Sequence, residues 1–145
     1  SENIGKPNFI GFKTGLYLND KRLEHSTSWL IKHNFDEQGT LANQDVEKVL
    51  LRLKDLNFWG SELHILQIIP KIGLTKKLAE SLECEISKKF ESQNKFVRAA
   101  AYEAYFEIAE LIPALKNEFR TKCIEALERE SASVKVKIRR VLKKT

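Results

Sequence analysis

Apolar residues in the second half of the chain recur at helical spacing. They fall at every fourth position from Leu78 to Phe90 and again from Leu115 to Leu127, with charged residues between them. This period is typical of an amphipathic helix, whereas a half-buried strand would alternate. The stretch between these two helices, residues 96–112, is apolar on more than one side. The pattern therefore predicts three consecutive helices, of which the middle one is buried between two neighbours.

The first half of the chain shows a less regular pattern. Residues 43–57 carry aliphatic side chains at helical spacing, and a second helix is expected over 61–69 with Ser61 as its N-cap. A further amphipathic stripe predicts a helix over 19–34. Residues 1–18 mix glycine with aromatic and aliphatic residues and have no helical period. We expect them to form an irregular N-terminal arm that precedes a single helical domain over 19–145.

The composition supports an all-α class. The 145 residues are 42% hydrophobic and 31% charged, which is usual for one globular domain. Six glycines and three prolines are too few for an all-β fold, in which turn residues recur at short intervals. The residues after Gly73 include no glycine and only one proline, Pro113. We therefore predict an all-α fold.

Cysteine usage and hydropathy bear on the compartment. The sequence has no apolar run long enough to span a membrane and no secretory leader pattern, so no membrane association is expected. Cys84 and Cys123 form no CxxC motif, which fits reduced thiols in the cytoplasm, or in the nucleus if the source is eukaryotic. Cys123 falls in the apolar series of its helix and is expected in the core, whereas Cys84 lies outside the apolar series of its helix and is expected to be accessible.

The helical pattern repeats with a period of 37 residues. Eight positions agree in character when residues 78–105 are shifted by this period onto 115–142, among them Val97 on Val134 and Arg98 on Lys135. A weaker third register places Val49 on Ile86. Periods of 20–50 residues are typical of repeat architectures, in which each helix pair buries its apolar face against its neighbours.

The second helix of this unit resembles a known family. Val97, Arg98, Ala101 and Tyr105, which follow a short polar turn, resemble the second helix of the HEAT and armadillo-like repeats. The resemblance is best over residues 74–145. It implies a short right-handed α-solenoid of antiparallel helix pairs, a fold generally used to bind other macromolecules.

Residues that could carry chemistry are sparse. His25, His33 and His64 have no carboxylate at metal-ligand spacing, so we expect no metal site and no cofactor. His64 is expected to be a partly buried core histidine. Trp29 and Trp59 are expected to pack in the core or between repeats. The sequence has no phosphate-binding loop and no nucleophile motif, and we therefore predict that the protein is not an enzyme.

The net charge of +5 comes from the C-terminal segment. Residues 131–145 hold six of the 25 basic residues and none of the 20 acidic ones, so the preceding residues are nearly neutral. Two interpretations stay open for these cations: a surface that binds phosphates or an acidic partner, and the solvated outer face of a terminal solenoid helix.

Two functions are compatible with these features. The first is a non-enzymatic protein–protein interaction or scaffold module, in which exposed residues of the second helices bind another protein. The residues expected to do so are Arg98, Tyr102, Glu103, Phe106 and Lys135. The alternative is binding of nucleic acid or another polyanion through the C-terminal helix. Its candidate residues are Lys135, Lys137, Arg139, Arg140, Lys143 and Lys144. The partner's identity and the oligomeric state are left open.

Overall fold

The computed structural model describes Lys32 and residues 43–145. The predicted arm and the predicted helix 19–34, apart from Lys32, lie outside the described residues. Trp29, His25 and His33 also lie outside them.

The chain divides into two compact units, Ser1–Ile72 and Gly73–Thr145. The single domain predicted over 19–145 stays a prediction. The described residues are all-α, as expected, and contain no strand. Their six α-helices are α1 (Asn43–Leu51), α2 (Trp59–Ile68), α3 (Lys76–Lys88), α4 (Lys95–Leu111), α5 (Lys116–Ala126) and α6 (Ala132–Lys144).

The described part of the first unit consists of α1 and α2. Apart from Leu56, its buried aliphatic side chains lie on α1, on α2 and on the 3-10 turns that follow each of them. Because α2 begins at Trp59 and not at residue 61, the expected N-cap Ser61 is instead fully buried inside the helix, and that expectation is wrong. The expected end of this helix before Pro70 is confirmed, since α2 ends at Ile68. His64 is buried, as predicted, with 9% of its surface exposed.

Helix α4 is the centre of the second unit. It packs against α3, α5 and α6, which confirms the expectation that this helix is buried between neighbours. Five alanines of α4 are buried, and such small side chains allow neighbouring helices to approach closely. The buried alanines are Ala99, Ala100, Ala101, Ala104 and Ala109.

Side-chain caps define two of the helix starts. The Thr75 hydroxyl accepts a hydrogen bond from the backbone N–H of Leu78, at 3.1 Å, and so begins α3. The Asn94 carboxamide oxygen accepts from Phe96 N–H (2.9 Å) and Val97 N–H (3.2 Å) and begins α4. These bonds satisfy N–H groups that have no partner inside the helix.

Two pairs of helix boundaries recur with the period found in the sequence. Helices α1 and α3 end 37 residues apart, at Leu51 and Lys88, and each continues into a 3-10 turn. Helices α4 and α6 begin 37 residues apart, at Lys95 and Ala132. The equivalent side chains of Val49, Ile86 and Cys123 are all buried. Some helix boundaries and buried positions thus share the period of the residue pattern.

An aromatic cluster fills the space between α4 and its neighbours. Phe90 stacks on Tyr102, with ring centroids 4.4 Å apart, and lies 5.4 Å from Tyr105 and 6.3 Å from Phe119. Burial raises the pKa of the Tyr102 hydroxyl to about 12. Aromatic pairs of this kind contribute beyond their buried area.

The cluster predicts a large difference between two phenylalanines of the second unit. Phe90→Ala should lower the free energy of unfolding by about 3–5 kcal/mol, because it leaves a cavity among three other rings. Phe96 is 50% exposed, so Phe96→Ala is the matched control and should cost less than about 1 kcal/mol. Urea unfolding followed by circular dichroism measures both, and equal losses would contradict the central role of Phe90.

Candidate functional site

Two of the six cations on α6 are paired with α4. Lys137 Nζ lies 3.4 Å from Glu103 Oε1, and Arg140 Nη1 lies 4.0 Å from Glu103 Oε2. Glu103, which we expected to bind a partner, is partly exposed but is engaged by these two charges. Its negative charge therefore offsets part of the positive charge of α6.

A third cation, Lys144, also lies against α4. Its ammonium is 5.5 Å from the centre of the Phe106 ring, within the range of a cation–π interaction. Burial raises the pKa of the neighbouring Glu107 carboxyl; Lys144 opposes this shift, whereas Glu110 adds to it. Phe106 is half-buried and is therefore only partly available as the predicted binding residue.

The other three cations form a separate row. Lys135, Arg139 and Lys143 are spaced four residues apart, which aligns them along one side of a helix, and we call them the α6 cation row. Arg139 and Lys143 are exposed, and Lys135 is half-buried. Within residues 43–145, no carboxylate oxygen lies within 4.0 Å of their charged nitrogens. The six predicted cations thus divide into three that pair with side chains of α4 and three that form no ion pair or cation–π contact with residues 43–145.

An apolar side chain lies beside the cation row. Val136 is 51% exposed, and its neighbours one turn further along the helix are Arg139 and Arg140. The outer face of α6 therefore combines one exposed aliphatic side chain with several cations.

Arg98 has a structural role inside the second unit. Its Nε donates to both carboxylate oxygens of Glu130, at 2.9 and 3.1 Å, and its Nη1 donates to the carbonyl of Ser92 at 2.8 Å. The Arg98 side chain is 21% exposed and that of Glu130 only 8%. We expected Arg98 to be exposed for partner binding, but its hydrogen bonds join the start of α4 to the segment between α5 and α6.

Tyr102 is buried, and its expected exposure is wrong. Only 1% of its surface is accessible, and its ring packs against two others, Phe90 at 4.4 Å and Phe119 of α5 at 6.5 Å. Trp59 departs from expectation in the other direction. It occupies the first position of α2 and is 43% exposed, although we expected it to pack in the core or between repeats.

The α6 cation row is the repeat equivalent of a contact surface on α4. Arg98, Tyr102 and Phe106, which we call the α4 stacking row, precede Lys135, Arg139 and Lys143 by 37 residues each. All three members of the α4 stacking row contact side chains of α5, of α6 or of the segment between these two helices. Their respective neighbours are Glu130, Phe119 and Lys144.

This equivalence could have been found from the sequence. The shift that placed Arg98 on Lys135 also places Tyr102 on Arg139 and Phe106 on Lys143. The division of the α6 cations into paired and unpaired sets had no such signal, because it depends on the position of Glu103 across the helix interface.

The second unit has a small, polar cleft beside the start of α4. It has a volume of about 250 Å³, is open to solvent, and is lined by Phe90, Glu91, Ser92, Arg98, Arg129 and Glu130. Small-molecule sites are typically larger, more enclosed and mostly apolar. The cleft surrounds the Arg98–Glu130 pair and is best described as its solvent-exposed margin.

Among residues 43–145, no group of three histidine, cysteine or acidic side chains is placed to bind a metal ion. No helix in the described part of the chain has the length and hydropathy needed to cross a membrane. Comparison with protein-family models, with curated proteins and with solved structures gives no match to this chain.

The two cysteines differ in reactivity. Cys84 is exposed and Cys123 is buried, as the sequence pattern predicted. Burial raises the pKa of the Cys123 thiol to about 12, so almost none of it is the reactive thiolate near pH 8.

We expect a disulfide reagent to titrate only Cys84 in the native protein and both thiols in guanidinium chloride. Rapid native titration of a Cys84→Ser variant would contradict this assignment.

The Arg98–Glu130 pair should contribute to stability. Arg98→Gln is expected to lower the free energy of unfolding by about 2 kcal/mol, because the mostly buried Glu130 carboxylate loses two charge-assisted hydrogen bonds. Lys135→Gln is the matched control at the equivalent position of α6, and it should cost less than about 0.5 kcal/mol.

A double-mutant cycle isolates this pair. Combining Arg98→Gln with Glu130→Gln should give a coupling energy of about 1–3 kcal/mol in urea unfolding. Additive effects of the two substitutions would show that the pair is not coupled.

Proposed function

We propose that this chain is a helical-repeat protein of the HEAT or armadillo-like type, and that it acts as a non-enzymatic protein–protein interaction or scaffold module. The 37-residue recurrence of helix ends, helix starts and buried positions supports a right-handed α-solenoid of antiparallel helix pairs. The residue pattern of Val97, Arg98, Ala101 and Tyr105 supports the same assignment.

One observation carries the proposed binding function. On α4, the stacking row is in contact with Glu130, Phe119 and Lys144, which lie on α5, on α6 and between them. On α6, the equivalent row makes no ion pair with residues 43–145. The helix thus carries three cations at the positions that, one period earlier, the protein uses for helix-to-helix contact. A surface of this kind favours binding of another polypeptide.

The second candidate function is binding of nucleic acid or another polyanion through α6. The α6 cation row favours it, because each cation that neutralises a phosphate adds to affinity. Three observations favour protein as the partner. Glu103 is shared by Lys137 and Arg140, Glu107 lies beside Lys144, and Val136 places an aliphatic side chain on the outer face. Aromatic residues for base stacking are also missing from α6.

Site-specific photo-crosslinking in cells tests this function. A photoreactive amino acid at position 136 of the full chain should give an adduct with one protein, which mass spectrometry identifies. The same residue at position 80, which is exposed on α3, is the control and should not give that adduct. The purified partner should then bind the full chain saturably and in a fixed ratio.

Three outcomes would contradict the proposal. The first is an adduct that carries nucleic acid and is removed by nuclease. The second is equal labelling from positions 136 and 80. The third is a purified partner that shows no saturable binding.

A further inference from the structure

We propose that the α6 cation row and Val136 bind one amphipathic α-helix of a partner protein, which presents carboxylates at positions i, i+4 and i+8. This inference rests on the proposed protein-binding function and adds the chemical class of the partner. It assigns the contact to the side of α6 that repeats the α4 stacking row.

The α4 stacking row shows how such a surface is covered within the chain. At its first position, the Arg98 guanidinium is bound by the Glu130 carboxylate at 2.9 Å. The equivalent position on α6 is Lys135, which has no carboxylate within 4.0 Å among residues 43–145. Glu130 lies in the segment between α5 and α6, so a polypeptide that covers α6 in the same manner, here a helix, needs an acidic residue at this point.

The remaining two positions extend the same requirement. Arg139 and Lys143 replace Tyr102 and Phe106 of the α4 stacking row, so apolar and aromatic contact is replaced by charge. Carboxylates spaced four residues apart on a partner helix match cations spaced four residues apart on α6. Covering these cations with apolar residues would instead leave buried charges without a partner, at a large cost in free energy.

Val136 favours a polypeptide over a phosphate backbone. It is 51% exposed and lies next to Arg139 and Arg140. A partner helix with an aliphatic residue beside its acidic row would remove Val136 from water. Removing an aliphatic side chain from water against another apolar side chain is favourable, whereas a phosphate gains nothing from it.

Acidic residues at the edge of the surface give a second reason to expect a polypeptide rather than a nucleic acid. Lys137 and Arg140 already share Glu103, and Lys144 lies close enough to Glu107 to affect its pKa. Most of the uncompensated positive charge therefore lies in a narrow row along the other side of α6. Such a row fits one helix better than it fits the broad, uniformly charged backbone of a nucleic-acid duplex.

Binding of designed peptides to the full chain tests the inference. The probe is a fluorescent helical peptide of about 20 residues with glutamates at i, i+4 and i+8 and leucines on the adjoining side. Its control is a peptide of identical composition in which the glutamates are distributed around the helix. Fluorescence anisotropy should show that the patterned peptide binds at least about tenfold more tightly than the control peptide.

Two matched variants identify the surface. Arg139→Glu/Lys143→Glu should weaken binding of the patterned peptide at least about tenfold, because two attractive pairs become repulsive. Lys76→Glu/Lys77→Glu makes the same change in net charge on exposed residues of α3 and should have an effect of less than about twofold. Val136→Ser should weaken binding of the patterned peptide about threefold and leave binding of a DNA duplex unchanged.

Three results would overturn the inference. Equal affinity for the two peptides would show that charge alone is recognised. Tighter binding of a duplex of about 20 base pairs at equal salt, lost in Arg139→Glu/Lys143→Glu, would assign the row to nucleic acid. Slow acetylation of the exposed Lys143 in the free full chain, relative to Lys76, would show that the row is already covered by the chain itself or by a second copy.

These results separate the inference from the proposed function. If crosslinking at position 136 yields a protein partner but the patterned peptide has no advantage, the partner is not an acidic helix and the interaction function stands. If position 136 yields no protein partner, the proposed function fails, whatever the peptides show.

Discussion

The second unit depends on the burial of α4 by three other helices. An amphipathic helix with one apolar stripe is satisfied by one neighbour, but α4 is apolar on more than one side and has to be covered by several. Its alanines keep the helix axes close, and the rings of Tyr102 and Tyr105 fill the remaining space together with Phe90 and Phe119. The positions of α3, α5 and α6 around α4 follow from this requirement, and so does the surface that α6 leaves on its other side.

Much of this architecture could be predicted from residue periodicity. The helices of the second unit, the central burial of α4 and the contrast between Cys84 and Cys123 all depend on which positions of a helix are apolar. Such patterns are local, and the structure agrees with them. The start of α2 was placed too late because Ser61 is a good N-cap residue in general, whereas here the helix begins at Trp59 and encloses it.

Exposure of polar and aromatic residues was harder to predict. Tyr102 and Phe106 lie on the same side of α4, and the sequence does not say whether a neighbouring unit or solvent meets that side. In the structure, Phe119 of α5 and Lys144 of α6 meet it. Glu103 presented the same difficulty, because its two cationic neighbours come from a helix more than 30 residues further along the chain. Contacts between repeats are not local, and a single sequence carries them only through the repeat register.

The charge on α6 governs what that surface is able to bind. An apolar row in place of Lys135, Arg139 and Lys143 would gain free energy from almost any apolar surface and would favour aggregation. A cationic row remains hydrated in the free protein, and removing it from water is favourable only where a partner supplies carboxylates in matching positions. Selectivity then comes from the penalty for a wrong partner more than from the strength of any one ion pair. In the proposed complex, Val136 would add a small apolar contribution that is gained only when the partner helix lies close along the row.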